Sequence, residues 1–276
     1  MGFRPLYPLV PRGKFYEGLE VISSLIQPYV DRTLNLSPEE LEKQSNTSDV
    51  KYTLLHALAR FTRSRKKIKD ELVNLLFAGR DTTAATLSWT FYELASKPAV
   101  VARLRKEIIE EIGLEAIPTL SDLKKLKYVH HVINETLRLH PPVPVNVRYA
   151  STDTILTNSS GLKISIRKGD AVVYSTLAMQ RRTDIYPPIS ASFPPAEEFA
   201  PERWENWTPE PWTYIPFNGG PRICVGQQFA LTEMWFTVVR LLQRFGGVER
   251  GVGQGEQFLR TDVVGSPGAG VEVRFL

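Results

Sequence analysis

Cysteine is almost absent from these 276 residues: Cys224 stands alone. It has no partner for an internal disulfide, and a structural zinc site built on several thiolates is excluded. A lone cysteine is either an inert core thiol or a thiol with a chemical task, and its neighbours decide which. Long apolar runs are missing too. No stretch reaches the ~18 apolar residues that a membrane-crossing helix needs. The four histidines (His56, His130, His131, His140) share no metal-ligand spacing. Charge of one sign is not in excess: 34 Lys+Arg face 30 Asp+Glu, a net +4. That balance argues against nucleic acid as a partner, and the basic run Arg60–Lys69 reads as the solvated start of an apolar helix. The N-terminal stretch lacks a continuous apolar region with a cleavage site, so it reads as a Pro-broken loop rather than a signal peptide. Repeats and low-complexity tracts are absent. What remains is an ordinary globular balance, 42% hydrophobic and 23% charged, with enough chain for a sizeable core.

Apolar periodicity places helices over Phe15–Leu34 (inward stripe Leu19, Ile22, Leu25, Ile26, Val30), Pro38–Lys43 and Tyr52–Thr62. A long helix follows over Ile68–Ser96. Its apolar residues fall on no narrow stripe, so most of its circumference is expected to be buried. Further helices are expected over Pro98–Ile112 (Val101, Leu104, Ile108 and Ile109 inward), Asp122–Lys125 and Tyr128–His140, the last stopped by Pro141-Pro142. The period then changes. Val145–Ala150 reads as extended. Leu162, Ile164 and Ile166 alternate with polar residues, and Lys168-Gly169-Asp170 signals a hairpin into Ala171–Tyr174. Asp184–Trp212 is irregular, Gln227–Phe245 is helical, and Val271, Val273 and Phe275 mark a closing strand. The order indicates a mainly α (α+β) fold with small sheets.

Phe217–Gly226 (FNGGPRICVG) is the most informative segment. Its glycines permit turns that a Cβ would forbid. Cys224 lies just before a helix start, where backbone N–H groups and the helix dipole favour thiolate over thiol. Arg222 adds a fixed positive charge. A buried structural cysteine needs none of this. The pattern F-x-x-G-x-R-x-C-x-G, carried by Phe217, Gly220, Arg222, Cys224 and Gly226, resembles the heme-binding signature of the cytochrome P450 family. The resemblance implies that Cys224 is the axial thiolate ligand to the iron of heme b (iron protoporphyrin IX). It also implies that Arg222 pairs with a heme propionate.

Other motifs of that family follow the same resemblance. Glu135-Thr136-Leu137-Arg138 matches E-x-x-R. On a helix the pair shares a face, and alone it would be an ordinary ion pair. Pro201-Glu202-Arg203-Trp204 matches P-E-R-[WF], which implies a buried structural triad of Glu135, Arg138 and Arg203 that steadies the loop behind the cysteine. Arg148 matches the position of a second propionate-binding arginine. Ala78-Gly79-Arg80-Asp81-Thr82-Thr83 matches A-G-x-D-T-T. A glycine and threonine hydroxyls inside a helix suggest a kink with loosened backbone groups. By resemblance Thr82 organises dioxygen and its water, and Asp81 relays protons.

The stretches AGRDTT, ETLRLHPPVPVNVR and FNGGPRICVGQQFALTEM are similar to fungal members that hydroxylate alkanes and fatty acids, a branch that also serves secondary metabolism. The resemblance implies a monooxygenase acting on an apolar small molecule and O2. It further implies an NADPH-cytochrome P450 reductase as electron donor and a place on the cytosolic face of the endoplasmic reticulum membrane. The Pro-rich stretch Pro187–Pro195 is an insertion relative to that pattern. The matched motifs belong to the family's C-terminal half, and its W-x-x-x-R pattern has no match before Phe15. The expectation is therefore a partial heme domain over 1–276, without the N-terminal portion and membrane anchor. Two other readings fit the same motifs: a fragment that carries them without turnover, and a non-catalytic heme-binding or scaffolding protein.

Overall fold

The computed structural model describes residues 13–45, 53–158, 160–190 and 193–276. Tyr52, at the head of the expected third helix, and the Pro-broken stretch up to residue 12 lie outside the described residues, as do two positions within Pro187–Pro195. The chain divides into two compact units, Met1–Ala78 and Gly79–Leu276.

The first unit is helical. It holds α1 (Gly13–Leu34), α2 (Pro38–Ser45), α3 (Leu54–Phe61) and the beginning of α4 (Arg65–Leu94). Val30, Leu41, Ala59 and Ile68 form its buried centre, with Ile26, Leu34 and Leu72 among the residues packed on it. Leu25, expected inward, is exposed: the face of α1 that meets the core carries Ile26 and Val30. Ser37 and Glu40 cap α2 reciprocally, backbone to side chain, at 2.7 and 3.1 Å. The basic run has local work. The Arg63 guanidinium donates to the carbonyls of Leu34 and Leu36 at the end of α1, Arg65 pairs with Asp31 and Lys66 with Asp70.

The second unit contains the rest of α4 and then α5 (Pro98–Glu111), α6 (Leu120–Lys125) and α7 (Lys127–Leu139). Strands β1 (Val145–Tyr149), β2 (Thr154–Thr157), β3 (Lys163–Ile166) and β4 (Ala171–Ser175) follow. The short helices α8 (Thr176–Met179) and α9 (Arg203–Asn206) lead to α10 (Gln227–Arg244) and to β5 (Val248–Arg250), β6 (Leu259–Thr261), β7 (Gly265–Pro267) and β8 (Val273–Phe275). The core is built where α5, α7 and α10 meet, from Leu104, Ile108, Val129, Val132, Ile133, Met234, Val238 and Leu242 among others. Ile109, expected inward on α5, is exposed. All four ladders among the described residues are two-stranded and antiparallel: β1–β4, β2–β3, β5–β8 and β6–β7.

Three expectations change. The hairpin read from Ile166 into Ala171 is not a β3–β4 pair. Gly169, at φ +90°, turns the chain so that its N–H reaches Ala150 O at 2.8 Å and Asp170 O accepts from Ala150 N at 3.0 Å. That docks β4 on β1, while β3 folds back on β2, a strand the sequence reading missed. On α4, burial of most of the circumference holds only from Thr83 onward, where Ala85, Thr86, Trp89, Thr90, Phe91 and Leu94 are buried. Before that point Leu76 and Phe77 are exposed, since only the Ile68/Leu72 side meets the first unit's core. The helix is also unbroken across 78–83. The hydroxyls that fold back onto carbonyls lie further on: Thr86 onto Thr82 O at 3.0 Å and Thr90 onto Thr86 O at 2.8 Å.

Candidate functional site

The segment that carries Cys224 is held from behind by α7. The fully buried Gln180 donates through Nε2 to Leu137 O and Arg138 O at 3.1 and 3.2 Å, and its Oε1 accepts from Ile215 N at 3.1 Å. Tyr214 donates to Asn134 O at 3.2 Å. The chain then bends sharply. Asn218 and Gly220 adopt φ +61° and +67°, a region where asparagine and glycine are the tolerated residues. A 3-10 turn over Gly220–Arg222 follows. It brings Cys224 back so that its N–H donates to Phe217 O at 2.9 Å. Gly226 is the N-cap of α10, and Cys224, just upstream, is exposed. Gly219 is needed for a different reason: a Cβ there would sit 2.4 Å from the Trp212 ring.

A second support comes from the β1–β4 hairpin. Asn146 and Tyr174 are direct cross-strand partners. Tyr174 Oη donates to Asn218 Oδ1 at 2.8 Å, and Asn218 Nδ2 donates to Asn146 Oδ1 at 3.1 Å. Arg148 lies two positions further on β1, on the same strand face as Asn146, with its guanidinium 5.6 Å from the centre of the Tyr174 ring. The hairpin thus brings Arg148 to the side of the cysteine loop.

Glu135, Arg138 and Arg203 come together, none of them more than 1% exposed. Arg138 donates twice to Glu135 at 2.8 and 2.9 Å, and Arg203 donates once at 2.9 Å. Two guanidiniums on one carboxylate leave an excess positive charge. It is spread over the carbonyls of Pro194, Pro195, Ala196 and Glu198, all in the irregular stretch before α9. Glu135 also accepts from Ala200 N at 2.9 Å and Trp204 Nε1 at 3.0 Å. In the sequence Trp204 is visible only as part of a motif. Gln180, Asn146, Tyr174 and Asn218 had no assigned role, although an asparagine next to paired glycines is itself a turn signal.

Asp81 and Thr82 stand on α4. Arg80 clasps the Asp81 carboxylate at 2.7 and 3.2 Å and holds it below the usual carboxylate range, with desolvation opposing the shift. Thr82 is half-buried, and the Thr83 hydroxyl is buried without a hydrogen-bond partner. A cleft of about 430 Å³ lies between this face and the β6–β7 hairpin, lined by Asp81, Ala84, Ala85, Val263, Val264 and Val271 among others. The cysteine loop does not line it.

The loop's chemistry suits a flat apolar group bearing carboxylates. Cys224 offers an exposed sulfur among the exposed apolar side chains of Ile223, Val225 and Phe229. Among the described residues, Arg148 and Arg222 have no carboxylate partner, unlike Arg138 and Arg203. The buried Nδ2 of Asn146 also lacks an acceptor. Among the described residues no cluster of His, Cys, Asp and Glu could hold a bare metal ion. Heme fits these features.

Comparison with known proteins agrees with this geometry. The family model described as Cytochrome P450 matches residues 6–265. "Cytochrome P450 monooxygenase pvhE" of Talaromyces variabilis is 45% identical over 268 residues, covering 95% of this chain and 49% of the relative. "Cytochrome P450 52A1" of Candida tropicalis is 41% identical over 258 residues (89% and 45%). "Cytochrome P450 52A12" of Debaryomyces hansenii is 44% identical over 253 residues (87% and 46%). The chain spans about half the length of these curated relatives. With a family match across nearly the whole chain, and with the cysteine loop and buried triad formed from the residues that carry the motifs, this protein belongs to the cytochrome P450 family, which implies a heme cofactor.

Proposed function

We propose that this chain contributes the cysteine-bearing side of a heme-thiolate monooxygenase. The reaction is R–H + O2 + 2 e⁻ + 2 H⁺ → R–OH + H2O on an apolar substrate, alkane- or fatty-acid-like or a fungal secondary metabolite. An NADPH-cytochrome P450 reductase would supply the electrons. Membrane attachment at the endoplasmic reticulum would follow the family's habit; among the described residues no helix is long and apolar enough to cross a membrane. The activity is proposed for a chain of the relatives' length, to which residues 1–276 would bring part of the heme domain.

Heme, when bound, supplies the reductive activation of O2. The protein's own groups are assigned as follows. Cys224 is the thiolate ligand, with Phe217, Gly220 and Gly226 shaping its loop. Arg222 and Arg148 hold the two carboxylates. Glu135, Arg138 and Arg203 keep the segment behind the loop in place. On α4, the Thr82 hydroxyl would order a water and hand on a proton. Asp81, kept anionic by Arg80, takes protons from solvent and passes them inward. The valines and alanines of the cleft beside α4 accept the apolar substrate.

The observation that carries this reading is the exposed Cys224 thiol, its N–H closed onto Phe217 O, flanked by arginines without carboxylate partners among the described residues. The test is the carbon-monoxide difference spectrum of the reduced protein loaded with heme. A thiolate-type Soret band is expected, and Cys224→Ser should abolish it. A band that survives this substitution would refute the ligand assignment, and its absence in the wild type would sink the function.

A further inference from the structure

Asn218 is one of two non-glycine residues among those described that adopt positive φ. Its side chain is the one that joins the cysteine loop to the cross-strand pair Asn146/Tyr174. The left-handed conformation matters because of what precedes it. The φ of Asn218 sets the tilt of the peptide plane whose oxygen is Phe217 O. That oxygen is the acceptor for the Cys224 N–H at 2.9 Å. Releasing the Asn218 side chain would free the backbone to leave the left-handed region, and the acceptor would turn away from the cysteine.

We propose that Asn218 is a positioning residue. Its bridge from Tyr174 Oη to Asn146 Oδ1 locks the peptide that holds Cys224, and it fixes the cysteine loop against β1, the strand that bears Arg148. One element would thereby set the spacing between the sulfur ligand and a carboxylate anchor. This inference rests on the heme-thiolate reading only for its consequence at the iron; the mechanical part stands on the protein alone. Asn146 serves the bridge through its Oδ1, the one end of its amide that can accept from Asn218 Nδ2. Tyr174 likewise has a double use, its hydroxyl on Asn218 and its ring beneath the Arg148 guanidinium.

The test uses three variants of the full chain: Asn218→Gly, Tyr174→Phe and the double substitution. Glycine occupies positive φ without penalty, so Asn218→Gly removes the bridge and leaves no backbone strain to confuse the result. Tyr174→Phe removes one bond and keeps the ring under Arg148. The first readout needs no heme: amide hydrogen exchange at Cys224, with the amides of α7 as internal control. Exchange at Cys224 should quicken by roughly five- to tenfold in Asn218→Gly, the scale of one lost hydrogen bond, and by less in Tyr174→Phe. The double variant should match Asn218→Gly, because both substitutions break one bridge. The second readout is spectroscopic. With heme and carbon monoxide bound, a larger share of the reduced variants should show the thiol-type Soret band in place of the thiolate-type band.

Unchanged Cys224 exchange in both single variants would overturn the proposal, as would a strictly additive double variant. If the wild type itself lacks the thiolate-type band, the proposed function fails, and the exchange data still decide whether the bridge positions the loop. If Asn218→Gly does not fold, Tyr174→Phe decides by the same exchange measurement.

Discussion

Glu135 and Arg203, 68 positions apart in the chain, meet side chain to side chain at 2.9 Å with neither exposed to solvent. Arg138 shares the same carboxylate from one turn further along α7. Desolvating these charges is offset only because every lone pair of Glu135 is used and both guanidiniums find carbonyls. Burial pushes the Arg138 pKa down and the Glu135 contacts push it up, with a net rise above the ordinary arginine value. The cluster is therefore sensitive to the loss of any one member. Glu135→Ala leaves two buried guanidiniums facing each other and should destabilise the fold by about 3–5 kcal/mol. Urea unfolding followed by tryptophan fluorescence measures it. A loss below about 1 kcal/mol would mean that water enters and solvates the pair.

The threonine contacts between α4 and α7 call for a different magnitude. Thr90 Oγ1 lies 3.1 Å from Thr136 Oγ1, both buried, while Thr90 also bonds Thr86 O and Thr136 bonds Val132 O. Two hydroxyl protons serve three contacts, so the inter-helix bond is the one most readily given up. Thr90→Val should cost about 1 kcal/mol, and Thr90→Val with Thr136→Val should cost less than the two single losses added together. Denaturant midpoints of the three variants give the coupling. Strict additivity would show that the two hydroxyls act independently.

How far each part could be read from sequence follows the range of the interactions. The cysteine loop was legible because its determinants are local: turn residues, a helix start and Arg222 all lie within the loop itself. The Glu135/Arg138 pair was legible as a helix spacing, but its third member was visible only through the family's P-E-R-[WF] pattern, since nothing local ties Arg203 to α7. Alternation marked β3 and β4 as strands but could not name their partners. The partners depend on where Gly169 aims the chain, and Ala150 is what it meets. The Asn218 bridge was out of reach because it joins groups 44 and 72 positions apart through side chains that suit an exposed turn equally well. Leu25 and Ile109 were assigned inward on periodicity, which locates a stripe but not its edge.

Acid sensitivity should centre on the half-buried histidines. Burial pushes His140 below the ordinary histidine range, against the pull of Glu93 at 2.8 Å, with Arg181 and Arg138 adding to the push. His130 and His131 are lowered for the same first reason. A lowered folded-state pKa means that the unfolded chain binds protons more readily. Stability is then complete above the unfolded value, about 6.5, and is lost as pH falls from there toward the folded value, by at most about 1.4 kcal/mol per pH unit for each histidine. His140→Phe keeps the stacking surface on Trp89, whose ring lies 4.0 Å away and nearly parallel, and removes the titration. Between about pH 7.5 and pH 5.5 its denaturation midpoint should fall less than that of the wild type. An equal fall would assign the acid loss to other groups.

Trp212 and Gly219 offer a probe of the loop that is independent of charge. Trp212 is 65% exposed and holds φ +70°, yet the far edge of its ring lies where a Gly219 Cβ would stand. The backbone of Gly219 is extended, at φ −155°, so alanine is allowed there by conformation and is excluded only by the ring. Gly219→Ala must therefore displace the indole, which is half in solvent and can swing outward at modest cost. The expected result is a small stability loss, within about 1–2 kcal/mol, with a quenched and red-shifted Trp212 emission read against a Trp212→Phe background. Trp212→Ala with Gly219→Ala should then show no further loss beyond Trp212→Ala alone, because the only clash has been removed. A large loss in Gly219→Ala that Trp212→Ala does not relieve would mean that the loop backbone, and not the indole, sets the limit at Gly219.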